Sequence, residues 1–291
     1  MTIAPIWSQV GDRQMNRWTQ SILSAGVFAA SVLTVSTPAE AGIGDLLVAP
    51  TRIVLDGRKG AEVILNNIGE EPATYRVSVE FRRMTEDGGL MDVAQPTATD
   101  QKAADMIVYA PRKIVLAPHE PQAIRIRAIP PAGLADGEYR VHLLFRAIPP
   151  ATPVVQAAAA QDQEKGLRFQ LTPVYGVTIP VIVRLGNLQA SAQIENVRLE
   201  HKGDKSLIDL DIARSGQRST FGEVRVFKAG VKAPVALQKA IAVYTEVGVR
   251  HVSVPIADDY KGDISGPVTV QYVETFEDGS HVLAETQATL R

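Results

Sequence analysis

Five histidines, His119, His142, His201, His251 and His281, are the first side chains to test for chemistry, because imidazole titrates near neutral pH and ligates metals. They are scattered, and no two stand at a metal-ligand spacing. His142 lies in an alternating stretch, as an ordinary strand histidine does. The chain contains no G-x-S-x-G elbow, no phosphate-cradling glycine loop and no H-E-x-x-H pair. The adjacent acids Glu70-Glu71 and Asp258-Asp259 fall in turn-like segments, where solvated charge accounts for them. The absence of cysteine excludes disulfides and thiolate metal sites. These residues do not assemble into an enzyme's constellation, and no catalytic residue, metal or cofactor is expected.

What the chain offers instead is an unusually long alternating strand. From Leu167 to Arg184 it reads LRFQLTPVYGVTIPVIVR, with Leu167, Phe169, Leu171, Tyr175, Val177, Ile179, Val181 and Val183 in one phase. Side chains alternate faces with period two along a strand, so these residues form one apolar edge. Val174, Pro180 and Ile182 are apolar exceptions in the other phase. Fully extended, the run spans roughly 60 Å, against a usual strand of about 5–6 residues. Either a bulge or bend near Pro173 or Pro180 divides it, or its first half is reserved for a partner. The second reading is favoured.

Of the 291 residues, 30 are basic and 32 acidic, and this balance gives no support for nucleic acid as a partner. The N-terminus carries Arg13 and Arg17, an apolar run from Ile22 to Val35, and Thr37-Pro38-Ala39-Glu40-Ala41. A basic flank, a short apolar core and an Ala-x-Ala site describe a secretory signal peptide over residues 1–41, cleaved before Gly42. The apolar run is shorter than the ~20 residues a membrane span needs.

From Gly42 onward, short alternating runs are separated by turn residues at spacings of roughly ten, the pattern of antiparallel sandwiches. Tyr75, Val77, Val79 and Phe81 share one face of a strand, and Glu86-Asp87-Gly88-Gly89 is a turn. No convincing helical periodicity of eleven residues or more occurs after the leader. Leu185-Gly186-Asn187 breaks the pattern after Arg184 and reads as a hinge. A second set of strands follows, closing with a hairpin at Glu277-Asp278-Gly279-Ser280. The expected fold is all-β: two immunoglobulin-like sandwiches in series, residues 42–185 and 186–291, with a cleft between them.

Three segments carry a resemblance. Pro50-Thr51-Arg52-Ile53-Val54-Leu55-Asp56-Gly57 resembles the first strand of the PapD-like periplasmic pilus and fimbrial assembly chaperones. The run from Leu134-Ala135-Asp136-Gly137-Glu138-Tyr139-Arg140 to Ile148-Pro149-Pro150 is similar to that family's penultimate strand of domain one. A loop and then a long strand ending in arginine follow, as in the family. Together with Tyr109-Ala110-Pro111-Arg112 the likeness covers the first domain and thins in the second.

The resemblance implies a periplasmic chaperone that binds pilus or fimbrial subunits by donor-strand complementation and delivers them to an outer-membrane usher. Leu167, Phe169, Leu171 and Tyr175 would be the donor-strand residues. Each such side chain, once buried, contributes roughly 1.5–3 kcal/mol before ordering costs. Arg52 is, by motif position, the anchor for the subunit's terminal carboxylate; a local pair with Asp56 is the alternative. Arg184 and Glu138 match the family's interdomain ion pair, with Glu277 or Asp278 as the second domain's acid. The family's lysine, four residues before that arginine, is replaced by Pro180. The same spare edge leaves room for self-association. A two-domain adhesin or structural binding module is the competing reading.

Overall fold

The structure is a computed structural model and describes residues 45–149, 174–203, 205–276 and 279–291. The leader, its cleavage site, and Leu167, Phe169, Leu171, Glu277 and Asp278 lie outside the described residues. All described residues belong to one compact unit, Ala41–Arg291.

Two β-sandwiches follow one another along the chain. The first contains β1 (Leu46–Ala49), β2 (Ile53–Leu55), β3 (Ala61–Asn67), β4 (Ala73–Glu80), the hairpin β5 (Arg82–Met84) and β6 (Leu90–Asp92), and α1 (Ala98–Met106). It continues with β7 (Ile107–Ala110), β8 (Lys113–Leu116), β9 (Pro121–Ala128), β10 (Gly137–Ile148) and β11 (Gly176–Leu185). The second contains β12 (Ala190–Lys202), β13 (Lys205–Gly216), β14 (Thr220–Lys228) and β15 (Ala236–Val243). It ends with β16 (Val249–Pro255), β17 (Gly266–Phe276) and β18 (Gly279–Leu290). Sheet β1-β3-β9-β7 packs on sheet β2-β11-β10-β4-β8, and sheet β12-β13-β16 on sheet β15-β14-β17-β18.

Alternation builds both cores. On β3, Val63 and Leu65 point inward while Glu62 and Ile64 point out. On β4, Tyr75 and Val77 are buried and Val79 is partly so, as is Phe81 just beyond the strand's end. Ile208, Leu210 and Ile212 do the same for the second sandwich. In the segment read as a hinge, Leu185 still belongs to β11, and Gly186 then turns with φ +82° against the Asp136 side chain before β12 begins.

The helix α1 departs from the all-strand pattern of the sequence. Its nine residues are too few to show a convincing helical period, but a capping box starts it: the Thr97 hydroxyl accepts from the Asp100 N–H at 3.2 Å, and Asp100 accepts from the Thr97 N–H at 2.7 Å. Arg83 holds the same carboxylate with two 2.7 Å contacts.

Candidate functional site

β11 supplies the site. Its odd positions Ile179, Val181 and Val183 are buried in the first core, as the alternation requires. Ile182, in the opposite phase, is 0 % exposed and belongs to the second core. The strand is apolar on both faces because both are covered, one by each sandwich. No bulge divides it at Pro180, since its register with β10 runs without a break from Arg146↔Gly176 to Gly137↔Leu185.

Among the described residues the outer edge of β11 is only half paired. β2 pairs with it in parallel through Ile53↔Val181, Val54↔Ile182 and Leu55↔Val183. From Gly176 to Pro180 no strand pairs with that edge among the described residues, although β10 pairs with the other side throughout. Pairing on the β10 side extends to Tyr175, whose carbonyl accepts from the Ala147 N–H at 3.0 Å. Proline has no N–H to donate to a ladder, so Pro180 is tolerated where the strand has a neighbour on one side only. Tyr175 is 53 % exposed and Val174 is exposed beside it.

Arg52 stands immediately before β2 and therefore where the open lane ends. Its Nη2 donates to the Ser219 hydroxyl at 3.3 Å, and the guanidinium carbon lies 4.9 Å from the Phe221 ring centroid. Nη1 is buried with no hydrogen-bond partner among the described residues. Burial pulls the guanidinium's pKa below its ordinary value, against the electrostatic pull of Tyr244 in the other direction. Asp56 is not its partner: that carboxylate accepts from the backbone N–H groups of Arg58 and Lys59 at 2.8 and 2.9 Å.

Arg184 and Glu138 are brought together as expected. They face each other across β10 and β11, with Arg184 Nε donating to Glu138 Oε2 at 3.0 Å. The contact from the second sandwich is Ser219, which neither the motifs nor the resemblance indicated. Its N–H and hydroxyl both donate to Glu138 Oε2 at 2.9 Å, and its carbonyl accepts from Arg184 Nη2 at 2.8 Å. The next residue back, Arg218, is paired with the buried Glu274.

A second charged cluster joins the sandwiches. Arg140 pairs with Glu246 through both terminal guanidinium nitrogens, and its guanidinium carbon lies 3.7 Å from the Tyr244 ring centroid. Burial pushes the Glu246 carboxyl up, but the Arg140 guanidinium and the Met84 N–H outweigh it and hold the pKa below the usual range. His142, opposite Pro180 and 1 % exposed, is neutral: burial first, and then the Arg140 charge, drive its pKa down to about 3. The position of the family's lysine therefore holds no cation, on Pro180 or on the residue facing it. Among the described residues no group of three or more His, Cys, Asp or Glu could hold a metal ion.

No protein-family model matches this chain, and no curated protein sequence matches it. Among solved structures it is similar to the YadV chaperone, at 12 % identity and a TM-score of 0.43, over 84 % of this chain and 100 % of that one. It is also similar to the E. coli chaperone DraB, at 14 % identity and a TM-score of 0.42, over 84 % and 96 %. A third likeness is to the Salmonella enterica SafA pilin in complex with the SafB chaperone, at 14 % identity and a TM-score of 0.40, over 84 % and 96 %.

The Arg140–Glu246 cluster left a trace in the sequence. Glu138, Arg140 and His142 alternate with Tyr139, Val141 and Leu143, which are buried in the first core. In register, Arg140 faces Ile182 and His142 faces Pro180, two of the apolar exceptions of β11. A strand pair with charge and apolar bulk together on its second face is one whose second face is covered. The β5–β6 hairpin adds a strap, since its turn residue Glu86 accepts through its carbonyl from the His251 N–H at 2.8 Å and Met84 enters the second core.

Proposed function

We propose that the protein is a periplasmic chaperone of the PapD-like kind, exported by a cleaved leader. It binds pilus or fimbrial subunits by strand addition and passes them to an outer-membrane usher. The observation that carries this reading is that, among the described residues, the lane beside Gly176–Pro180 is open and ends at a buried guanidinium with an unpartnered nitrogen. A client strand in that lane takes the place β2 occupies further along. A client whose terminal carboxylate reaches Arg52 runs parallel to β11, as β2 does. Main-chain hydrogen bonds then supply affinity, and the charge-assisted pair at Arg52 fixes the register.

On this reading, residues 42–185 hold the client, with Leu167, Phe169, Leu171 and Tyr175 donating alternate side chains to its open groove. Residues 186–291 form the second wall of the cleft, and Glu138 with Arg184 sets the angle between the domains. Neither catalysis nor a cofactor enters, because the client's later collapse around another strand drives release. The single lane accounts equally for self-association of the free protein. One experiment tests the reading: co-expression with an exported β-rich subunit encoded in the same gene neighbourhood. The complex should be recovered with the parent protein and lost with Arg52→Ala and with Leu171→Glu; full recovery with both variants overturns it.

A further inference from the structure

Arg52 belongs to the first sandwich, but the groups that orient it belong to the second. Its Nη2 donates to the Ser219 hydroxyl, and Phe221, two residues on, lies beside the guanidinium. Ser219 is 0 % exposed and is held firmly. Its carbonyl accepts from Arg184 and, at 3.3 Å, from Arg218, and Arg218 is tied in turn to the buried Glu274. A serine hydroxyl has one proton, and here it is given to Glu138 Oε2 at 2.9 Å. The oxygen's lone pairs are therefore left for guanidinium donors, Arg52 Nη2 at 3.3 Å and Arg184 Nη2 at 3.4 Å.

The same network holds a competing acceptor. Glu138 Oε1 is buried with no hydrogen-bond partner among the described residues, on a side chain only 1 % exposed. Its carboxylate acts electrostatically on the Arg52 guanidinium. Among the described residues Glu138 Oε1 and Arg52 Nη1 both lack a partner, while Oε2 and Nη2 meet at one hydroxyl, so the two opposite charges attract each other across it. The Ser219 hydroxyl occupies both side chains at once, donating to one and accepting from the other.

We propose that Ser219 is a positioning residue for client capture: it sets the Arg52 guanidinium so that Nη1 stays available to a client's terminal carboxylate instead of turning onto Glu138. The inference rests on the anchoring role proposed for Arg52. It adds that the anchor is competent only when the second sandwich is docked on the first, because the group that positions it comes from there.

The test is a double-mutant cycle with a defined probe, the hexapeptide acetyl-Thr-Val-Thr-Val-Thr-Phe, used as free acid and as terminal amide. Binding is measured by calorimetry on the purified full chain. Arg52→Ala should weaken the acid about tenfold and leave the amide nearly unchanged. Ser219→Ala should weaken the acid about fivefold in the parent, yet less than about twofold when Arg52 is already alanine. Equal losses in both backgrounds mean Ser219 acts through general structure, and overturn the inference while leaving the anchor standing. Parent binding of the acid no tighter than the amide, or an Arg52→Ala variant as tight as the parent, overturns the anchor and the inference with it. Should Ser219→Ala fail to fold, Ser219→Cys, with a weaker acceptor of similar size, completes the same cycle.

Discussion

Glu138 and Arg184 stand directly opposite each other on β10 and β11, and the residue that completes their pair, Ser219, comes from the other sandwich. The pair is thus a joint as well as an ion pair. Removing one partner leaves the other charge buried without compensation. Arg184→Ala should cost about 3–5 kcal/mol of unfolding free energy, read from urea denaturation. The paired change Glu138→Gln with Arg184→Met should cost much less, because neither member of the pair is left as a lone charge. A double variant as unstable as the single one would contradict this account.

Arg52 leads to the opposite expectation for stability. Its guanidinium is desolvated, has an unpartnered nitrogen and touches no carboxylate among the described residues. Arg52→Met keeps the stem's bulk and removes the charge, so the free protein should gain on the order of 1 kcal/mol while client capture is lost. Thermal unfolding alongside co-purification of a subunit checks both halves. A less stable variant would mean that the guanidinium is structurally satisfied in the free protein.

Legibility in the sequence tracks how local the cause is. Ile179, Val181 and Val183 were readable because period two is a property of the strand itself. Ile182 and Pro180 stood out as exceptions, but their meaning lay in a second sandwich covering that face. Glu138 and Arg184 came through the resemblance, and the structure pairs them. Ser219 was not legible, and the Arg140–Glu246 cluster showed only its Arg140 side: the bonded residues are separated by 81 and 106 positions, and no local pattern marks Ser219 or Glu246 as a partner. The nine-residue α1 announces itself only through Thr97 and Asp100, too short a signal for a search by period.

Two histidines give the stability opposite pH slopes. The Asp211 carboxylate, bonded to His251 Nδ1 at 2.6 Å, raises the His251 pKa, with Glu86 and Asp87 of the β5–β6 turn adding to it. Its contribution is complete below about pH 6.5 and is lost as pH rises through the folded-state value. Buried His142 is the reverse. It stays neutral down to about 3 in the folded protein, under the Arg140, Arg82 and Arg83 charges and with Glu246 opposing them. The unfolded chain takes up a proton near pH 6.5, so this contribution is complete above that pH and lost as pH falls below it. Urea unfolding across a pH series should find the acid limb flattened by His142→Phe and the alkaline limb flattened by His251→Asn. Unchanged limbs would remove these side chains from the linkage.

The open lane beside β11 makes a claim about individual amides. Between Val181 and Val183 the strand has β10 on one side and β2 on the other, so every backbone N–H lies beside a neighbouring strand. Between Gly176 and Ile179 only the β10 side has a partner among the described residues, so the amides directed away from β10 face the lane. Hydrogen exchange should therefore be uneven along one continuous strand, with lane-facing amides before Pro180 exchanging at least about tenfold faster than those after it. The buried residues on either side of Pro180 do not by themselves produce such a step, since Ile179 and Val181 are equally enclosed. On adding a client strand the fast amides should slow and the step should disappear. A free protein already protected from Gly176 onward at low concentration would mean that the lane is filled by the chain itself, and the client would have nowhere to add.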